Sequence, residues 1–283
     1  MATDEPMTDE RPTDGAMLAL CRRLPKVELH AHLAGSARVT TIAELAPDTV
    51  DRAVLRHGER TLDECFAVFA AIHATMSTTA VLERVTREVL ADFAADNVKY
   101  LELRTTPRAL ADADTEAYVR VVLGAFAAFD ASAKAEPWPM VARLLLSIDR
   151  TQSLEAALAT VTLAIRLRDQ AAAAKATQYV VGIDFSGNPT RGDFATFAAA
   201  FHVAREAGLA CAVHVAEQRT DVETDAILAF RPERLGHALC LHERHVEALA
   251  RVLTLLWCTR GTLLLACVRA SHCCCCGACV AAP

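Results

Sequence analysis

Residues 26–33 read Lys26-Val27-Glu28-Leu29-His30-Ala31-His32-Leu33. Apolar and polar positions alternate, and Pro25 stands just before them, so the stretch reads as a short β-strand. Side chains two apart on a strand share a face. His30 and His32 therefore project together, and two imidazoles on one face are half of a zinc site.

Working outward, a helix is expected from about Val39 to Ala46. Thr61-Leu62-Asp63-Glu64 has the form of a capping box, with Thr61 as cap and Glu64 reaching back. It opens a helix carrying Leu62, Phe66, Phe69, Ile72 and His73. The next helix spans 81–97 and ends at Asn97. Strands follow at 98–104, 140–148, 179–185, 209–217 and 233–239. Helices over 116–135, 153–175, 194–208 and 222–230 separate them, and a last helix covers 242–253. Six strands joined by crossover-length helices predict a parallel sheet of α/β class. The first strand is not followed by Gly-x-Gly-x-x-Gly, which weighs against a dinucleotide fold. Polar residues gather at the expected strand ends: His32, Arg104, Asp149, Asp184, His214 with Glu217, and His237. In a (β/α)8 barrel those ends meet at one mouth. The expected fold is an incomplete (β/α)8 TIM-type barrel of about six recognisable strands. It occupies 19–252, between a disordered polar tail over 1–18 and a Cys-rich tail over 253–283.

The chain has 283 residues, 53% hydrophobic and 23% charged, which suits a packed globule. A net charge of -6 argues against a nucleic-acid or membrane surface as partner. The polar N-terminal stretch lacks the basic start and apolar core of a secretory signal, so a cytoplasmic protein is expected. The apolar run 252–268 is broken by Arg260 and Gly261, and each half is far short of the ~20 residues a span needs. Of 11 cysteines, seven lie in the last 26 residues. That divides a body suited to a reducing compartment from an end of different character. Cys273-Cys274-Cys275-Cys276 cannot all reach one tetrahedral ion without contortion. Cys65, Cys211 and Cys240 read as small buried hydrophobes.

His214 closes the strand Cys211-Ala212-Val213-His214-Val215, Glu217 lies three residues on, and His237 ends the next strand. Zinc held by histidine nitrogens with an open position lowers the pKa of a bound water to about 7. A neighbouring Glu can move protons between water and leaving group. That combination is the layout of a hydrolase. Each residue also has a plainer reading. A lone His on an apolar strand is commonly a satisfied core residue. Arg104 and Arg108 could be solvated loop charges, and His73 a helix residue half buried against the sheet. Asp149 and Asp184 could be helix caps or loop hydrogen-bond acceptors.

The run of motifs LPKVELHAHLAGS, TLDECFAVFAAIH, VKYLELRTTPR, SIDR, VVGIDFSGNPT, GLACAVHVAE and RLGHA resembles the adenosine deaminase superfamily over residues 20–250. Its adenosine-deaminase-like branch, the N6-methyl-AMP deaminases, is the nearest in pattern. The resemblance implies a metal-dependent hydrolase barrel, one Zn2+ per chain, and His30, His32 and His214 as ligands. Glu217 would protonate purine N1 while an activated water attacks C6, and His237 would orient and help deprotonate that water. Gly187 would let the backbone approach the purine. His32, Ala34, His73, Thr106, Pro107, Arg108, Ala109 and Asp149 would line the nucleotide side. The implied partner is a small purine nucleotide or nucleoside, acted on by a monomer. The fourth predicted strand, Tyr179–Phe185, carries no Lys of the kind that bridges two metals, which favours one ion.

Two departures stand out. Ala34 replaces an expected Asn, which removes an amide from the sugar or phosphate side and is worth ~1–3 kcal/mol of binding. The strand-eight Asp that completes the metal set in the family has no counterpart, since neither Asp nor Glu follows Glu247. Residues 253–283 thus read as an aberrant end on a deaminase front. An inactive remnant that binds nucleotide or metal without turnover is the alternative. The other zinc-deaminase signature, mimicked by His245-Val246-Glu247 and Cys276-Gly277-Ala278-Cys279, lacks the Pro before its first Cys.

Overall fold

The computed structural model describes residues 14–48 and 61–250. The Cys-rich tail over 253–283, the candidate span over 252–268 and most of the polar tail lie outside them. Elements run α1 (Asp14–Arg23), β1 (Lys26–His32), α2 (Val39–Leu45), α3 (Leu62–Thr75), α4 (Thr79–Ala95), β2 (Val98–Thr105) and α5 (Thr115–Ala133). They continue with β3 (Val141–Asp149), α6 (Leu154–Ala173), β4 (Val180–Ser186), α7 (Phe194–Glu206), β5 (Ala210–Val215), α8 (Asp221–Phe230) and β6 (Arg234–His237). A helix over 243–250 ends the described residues. The six strands pair in sequence order, β1-β2-β3-β4-β5-β6, every pair parallel. They form a nearly closed barrel with helices outside. The α1 helix takes in residues 14–18, which were expected in the disordered tail. Ala16, Met17, Leu18 and Ala19 are strong helix formers, and they outweigh the polar start of the stretch.

Local chemistry sets the element boundaries. Thr61 and Glu64 form the reciprocal capping box that their spacing predicts. Thr78, Asp114, Ser153 and Asp193 accept backbone N–H groups at the starts of α4, α5, α6 and α7. Asn97 terminates α4 in the left-handed conformation, φ 60°, and its side-chain amide donates to the Arg23 carbonyl at 2.7 Å.

Alternation along the strands separates two environments. Leu101, Leu103, Leu144, Leu146, Ile183, Phe185, Cys211 and Val213 are buried in the apolar core. Phe185 lies 5.3–5.8 Å, ring centre to ring centre, from Phe194, Phe197 and Phe201 of α7. Polar partners meet across the interior. Arg234 of β6 pairs with Glu102 of β2, its Nε 2.8 Å from Oε2. Arg104 of β2 reaches Asp184 of β4 at 2.6 Å. These strands are not neighbours in the sheet, so the pairs are possible only because the sheet curls. Cys65 and Cys211 are buried as expected, but Cys240 is exposed. It follows β6 in the loop at the mouth, outside the apolar core. Among the described residues no single helix is long and apolar enough to cross a membrane.

Gly182 of β4 is a close-approach glycine: a Cβ there would stand 2.5 Å from the carbonyl oxygen of Ala210 on β5. Backbone in a paired strand cannot step aside cheaply. Gly182→Ala is expected to lower stability by about 1–3 kcal/mol, read as a shift in the urea midpoint with an unchanged m-value.

Candidate metal centre

The β1 strand does not run evenly along β2. Its register slips between Glu28 and Ala31, where Leu101 and Leu103 are the partners. Inside that bulge the His30 N–H donates to the Glu28 carboxylate at 2.7 Å. The Leu29 carbonyl accepts from the Arg104 guanidinium. Side chains thus satisfy the polar groups that the ladder leaves over. His30 and His32 emerge on the same side, with ring centres 5.5 Å apart.

From the far side of the barrel, His214 closes on both. Its ring centre is 4.5 Å from that of His30 and 5.0 Å from that of His32. The Nε2 atoms of His32 and His214 are 3.0 Å apart. His237 joins them, 4.8 Å from His30 and 5.0 Å from His214. Two overlapping groups place a ligand atom from each member within 4.8 Å of the others: His30, His214 and His237, and His32, Asp184 and His214.

Glu217 stands beside the histidines, its Oε2 3.6 Å from His237 Nε2. Its Oε1 is buried with no hydrogen-bond partner. Burial raises the carboxyl's pKa, against the opposing pull of His214 and Arg150. Left-handed backbone aims both residues: Ala216 has φ 51°, His237 φ 60° and Ala238 φ 54°. The two turns are tied together by Ala238 N–H to Val215 O at 2.9 Å and Cys240 N–H to Ala216 O at 2.8 Å.

His30 Nε2 is likewise buried without a hydrogen-bond partner. Burial first, then His214 and Arg104, lower the imidazole's pKa and keep it neutral. A buried imidazole nitrogen with no proton partner, aimed among other imidazoles, is the form a metal ligand takes before it binds. Histidine nitrogens with a nearby carboxylate suit zinc. The residues present therefore fit the ion that the sequence resemblance implies.

Four of the remaining predicted residues, Gly187, Asp149, His73 and Arg108, lie near one another. Gly187, φ 109°, follows β4, and a Cβ there would stand 2.9 Å from Asp149 Oδ2. Asp149 accepts from the Thr151 N–H and hydroxyl, so its loop-acceptor reading holds. His73 is exposed on α3 rather than half buried, yet crowding by the surrounding protein, then Arg108, lowers its imidazole's pKa, while Asp149 acts the other way. These three groups are thus in electrostatic range of one another. Arg108 Nη2 donates to the Met76 carbonyl at 3.0 Å and to that of His73 at 3.4 Å, anchoring the 106–109 loop to the end of α3. Pro107 is buried, Thr106 and Ala34 are half-buried, and Ala109 is exposed.

Arg104 is no solvated loop charge: it is 1% exposed. Asp184 is neither a cap nor a loop acceptor. It is fully buried, 2.6 Å from Arg104 Nη1, 3.0 Å from Ser147 Oγ and 3.3 Å from His214 Nδ1. Burial alone would raise its pKa; Arg104, His214 and His32 prevail and hold it well below the usual carboxylate range. Arg150 and Glu223, absent from the sequence reading of the site, form a second buried pair at 2.6 Å. Arg150 also stands 3.4 Å from the His214 carbonyl. One signal could have found the first pair. A charged residue on the interior side of a buried strand must meet an opposite charge, and Arg104 and Asp184 occupy such positions.

The family model for adenosine deaminase matches residues 25–255. The chain belongs to the adenosine deaminase family. It is 38% identical over 231 residues to the N6-methyl-AMP deaminase of Danio rerio, covering 78% of this chain and 64% of that protein. It is 37% identical over 243 residues to the N6-mAMP deaminase of Arabidopsis thaliana, covering 76% and 66%. The chain therefore spans about two thirds of the length of these relatives. The crystal structure of Arabidopsis ADAL complexed with IMP superposes with a TM-score of 0.73 at 36% identity, covering 81% of this chain and 69% of that one. An amidohydrolase from Burkholderia ambifaria with bound Zn matches with a TM-score of 0.67 at 26% identity, over 88% and 67%.

Gly236 decides whether His30 can reach the cluster. A Cβ at position 236 would stand 2.5 Å from His30 Cε1 and 3.1 Å from Nδ1. Gly236→Ala is expected to push the ring aside and weaken zinc binding at least about tenfold, some 1.4 kcal/mol, measured by competition with a chelating dye.

Proposed function

We propose that the chain is built as a zinc-dependent hydrolytic deaminase of the purine 6-position. Its substrate is N6-methyl-AMP or a related adenine nucleotide, and its product is IMP. The observation that carries this reading is the convergence of His30, His32 and His214, with the Glu217–His237 pair alongside. Membership of the adenosine deaminase family and relatives named N6-methyl-AMP deaminase support the substrate class.

In this reading His30, His32 and His214 would hold one Zn2+. When bound there, the ion supplies a Lewis acid that brings the pKa of a water down toward 7. Glu217, kept protonatable by burial, donates to ring nitrogen N1. His237 accepts a proton from the water as its oxygen bonds to C6 and returns it to the departing nitrogen; as the C6–N bond breaks, the remaining hydroxyl proton passes to the Glu217 carboxylate and restores the acid. Water plus N6-methyl-AMP then becomes IMP plus methylamine. Gly187 lets the backbone approach the purine face. Asp149, His73, Ala34 and the Thr106-Pro107-Arg108-Ala109 loop line the ribose and phosphate side, where a guanidinium suits phosphate oxygens. The free thiols of Cys21, Cys65, Cys211 and Cys240 suit a cytoplasmic setting.

A second reading is favoured by one observation. No Asp or Glu follows Glu247, so the family's strand-eight carboxylate is not supplied by residues 251–283. In that case the barrel binds nucleotide or metal without turnover. Metal content and product release separate the two: one zinc per chain with methylamine formed supports the enzyme, and bound nucleotide without product supports the remnant. For the enzyme, Glu217→Gln is expected to lower kcat at least about a thousandfold while zinc content stays at the wild-type level. Full activity in that variant would remove Glu217 as the proton donor.

A further inference from the structure

We infer that the buried Arg104–Asp184 pair is a positioning device for His214, fixing which ring nitrogen faces the metal. The inference rests on the reading of His214 as a zinc ligand. Asp184 is 0% exposed and Arg104 1%. Both oxygens of Asp184 are engaged: Oδ1 with Arg104 Nη1 at 2.6 Å and Oδ2 with Ser147 Oγ at 3.0 Å. That engagement, below the mouth, suits an orienting carboxylate better than a ligand, although Asp184 lies close enough to His32 and His214 to be counted among possible ligands.

The geometry on the far side completes the case. Oδ1 also lies 3.3 Å from His214 Nδ1, a buried atom with no other partner whose contact here is a close approach short of an aligned hydrogen bond, and the opposite ring nitrogen, Nε2, is 3.0 Å from His32 Nε2. One edge of the imidazole thus faces a carboxylate and the other faces the cluster. A carboxylate on one ring nitrogen keeps the proton there and leaves the other nitrogen's lone pair for a metal. Arg104 in turn keeps the carboxylate charged and aimed, and its second amino group holds the Leu29 carbonyl in the β1 bulge. One guanidinium therefore sets both the His214 carboxylate and the backbone just before His30. Arg150, 3.4 Å from the His214 carbonyl, steadies the same residue at its backbone.

The test uses the full chain. Asp184→Asn keeps the shape and removes the charge. Zinc affinity, read by competition with a chelating dye, is expected to fall 10–100-fold. In long-range 1H–15N spectra of the metal-free protein, the His214 ring is expected to lose the single tautomer with the proton on Nδ1. Asp184→Asn could fail to fold, since it leaves Arg104 without its counter-charge. The paired change Arg104→Met with Asp184→Asn removes both charges at similar volume and is expected to show the same two effects. A merely structural role would lower the melting temperature yet leave zinc affinity and tautomer as in the wild type; that result in either folded variant overturns the inference. Failure of the underlying metal reading looks different: wild-type chain that takes up no zinc, or His214→Ala that binds it with wild-type affinity, overturns both.

Discussion

The His30 imidazole lies against the bare backbone of Gly236, and the rest of the site depends on that contact. β1 and β6 stand at opposite ends of the hydrogen-bonding order, yet a methyl group at position 236 would collide with the ring. Only a residue without a side chain lets the two strands present imidazoles to one space. Deeper in the barrel Arg234 and Glu102 bridge the same two sides of the curl. The approach of first strand to last sets the distances among all four histidines. Without it, His30 and His32 would be a pair on an edge strand facing water.

Closing the sheet has an electrostatic consequence. The interior becomes poor in water, so every charge in it needs a partner. Two buried pairs result, Arg104–Asp184 and Arg150–Glu223, and both touch His214, one at the ring and one at the backbone. Such pairs add little net stability over an apolar core, but removing one member costs about 3–5 kcal/mol. Their contribution is geometry: they hold side chains in one orientation that apolar packing would leave free. Glu217 differs from these pairs. Its Oε1 has no hydrogen-bond partner and burial raises its pKa, which is the condition of a group that exchanges a proton rather than anchors a fold.

Strain gathers in the same place. Ala216, His237 and Ala238 take left-handed backbone at a cost of roughly 1–2 kcal/mol each. The hydrogen bonds between the two turns offset part of it and lock Glu217 to His237. Asn97, Lys175 and Arg231 take the same conformation elsewhere, but each follows a helix, where the left-handed turn satisfies the last carbonyls. At the β5 and β6 ends the left-handed residues close or follow strands instead, beside His214 and Glu217.

Element type and order were legible in the chain alone, because period and caps are local properties. Alternation marked the six strands, helical spacing and caps marked the helices, and His-x-His marked two of the histidines that converge. What could not be read locally is who meets whom across the interior. The slip at Glu28–Ala31, the fate of Arg104 and Asp184, and the exposure of Cys240 follow from the curl of the sheet, not from any window of residues. Sequence spacing states which face of its own element a side chain occupies. Only the closed tertiary structure brings faces from β1, β4, β5 and β6 to a single point, because the distance between them is set by the packing of all the strands in between.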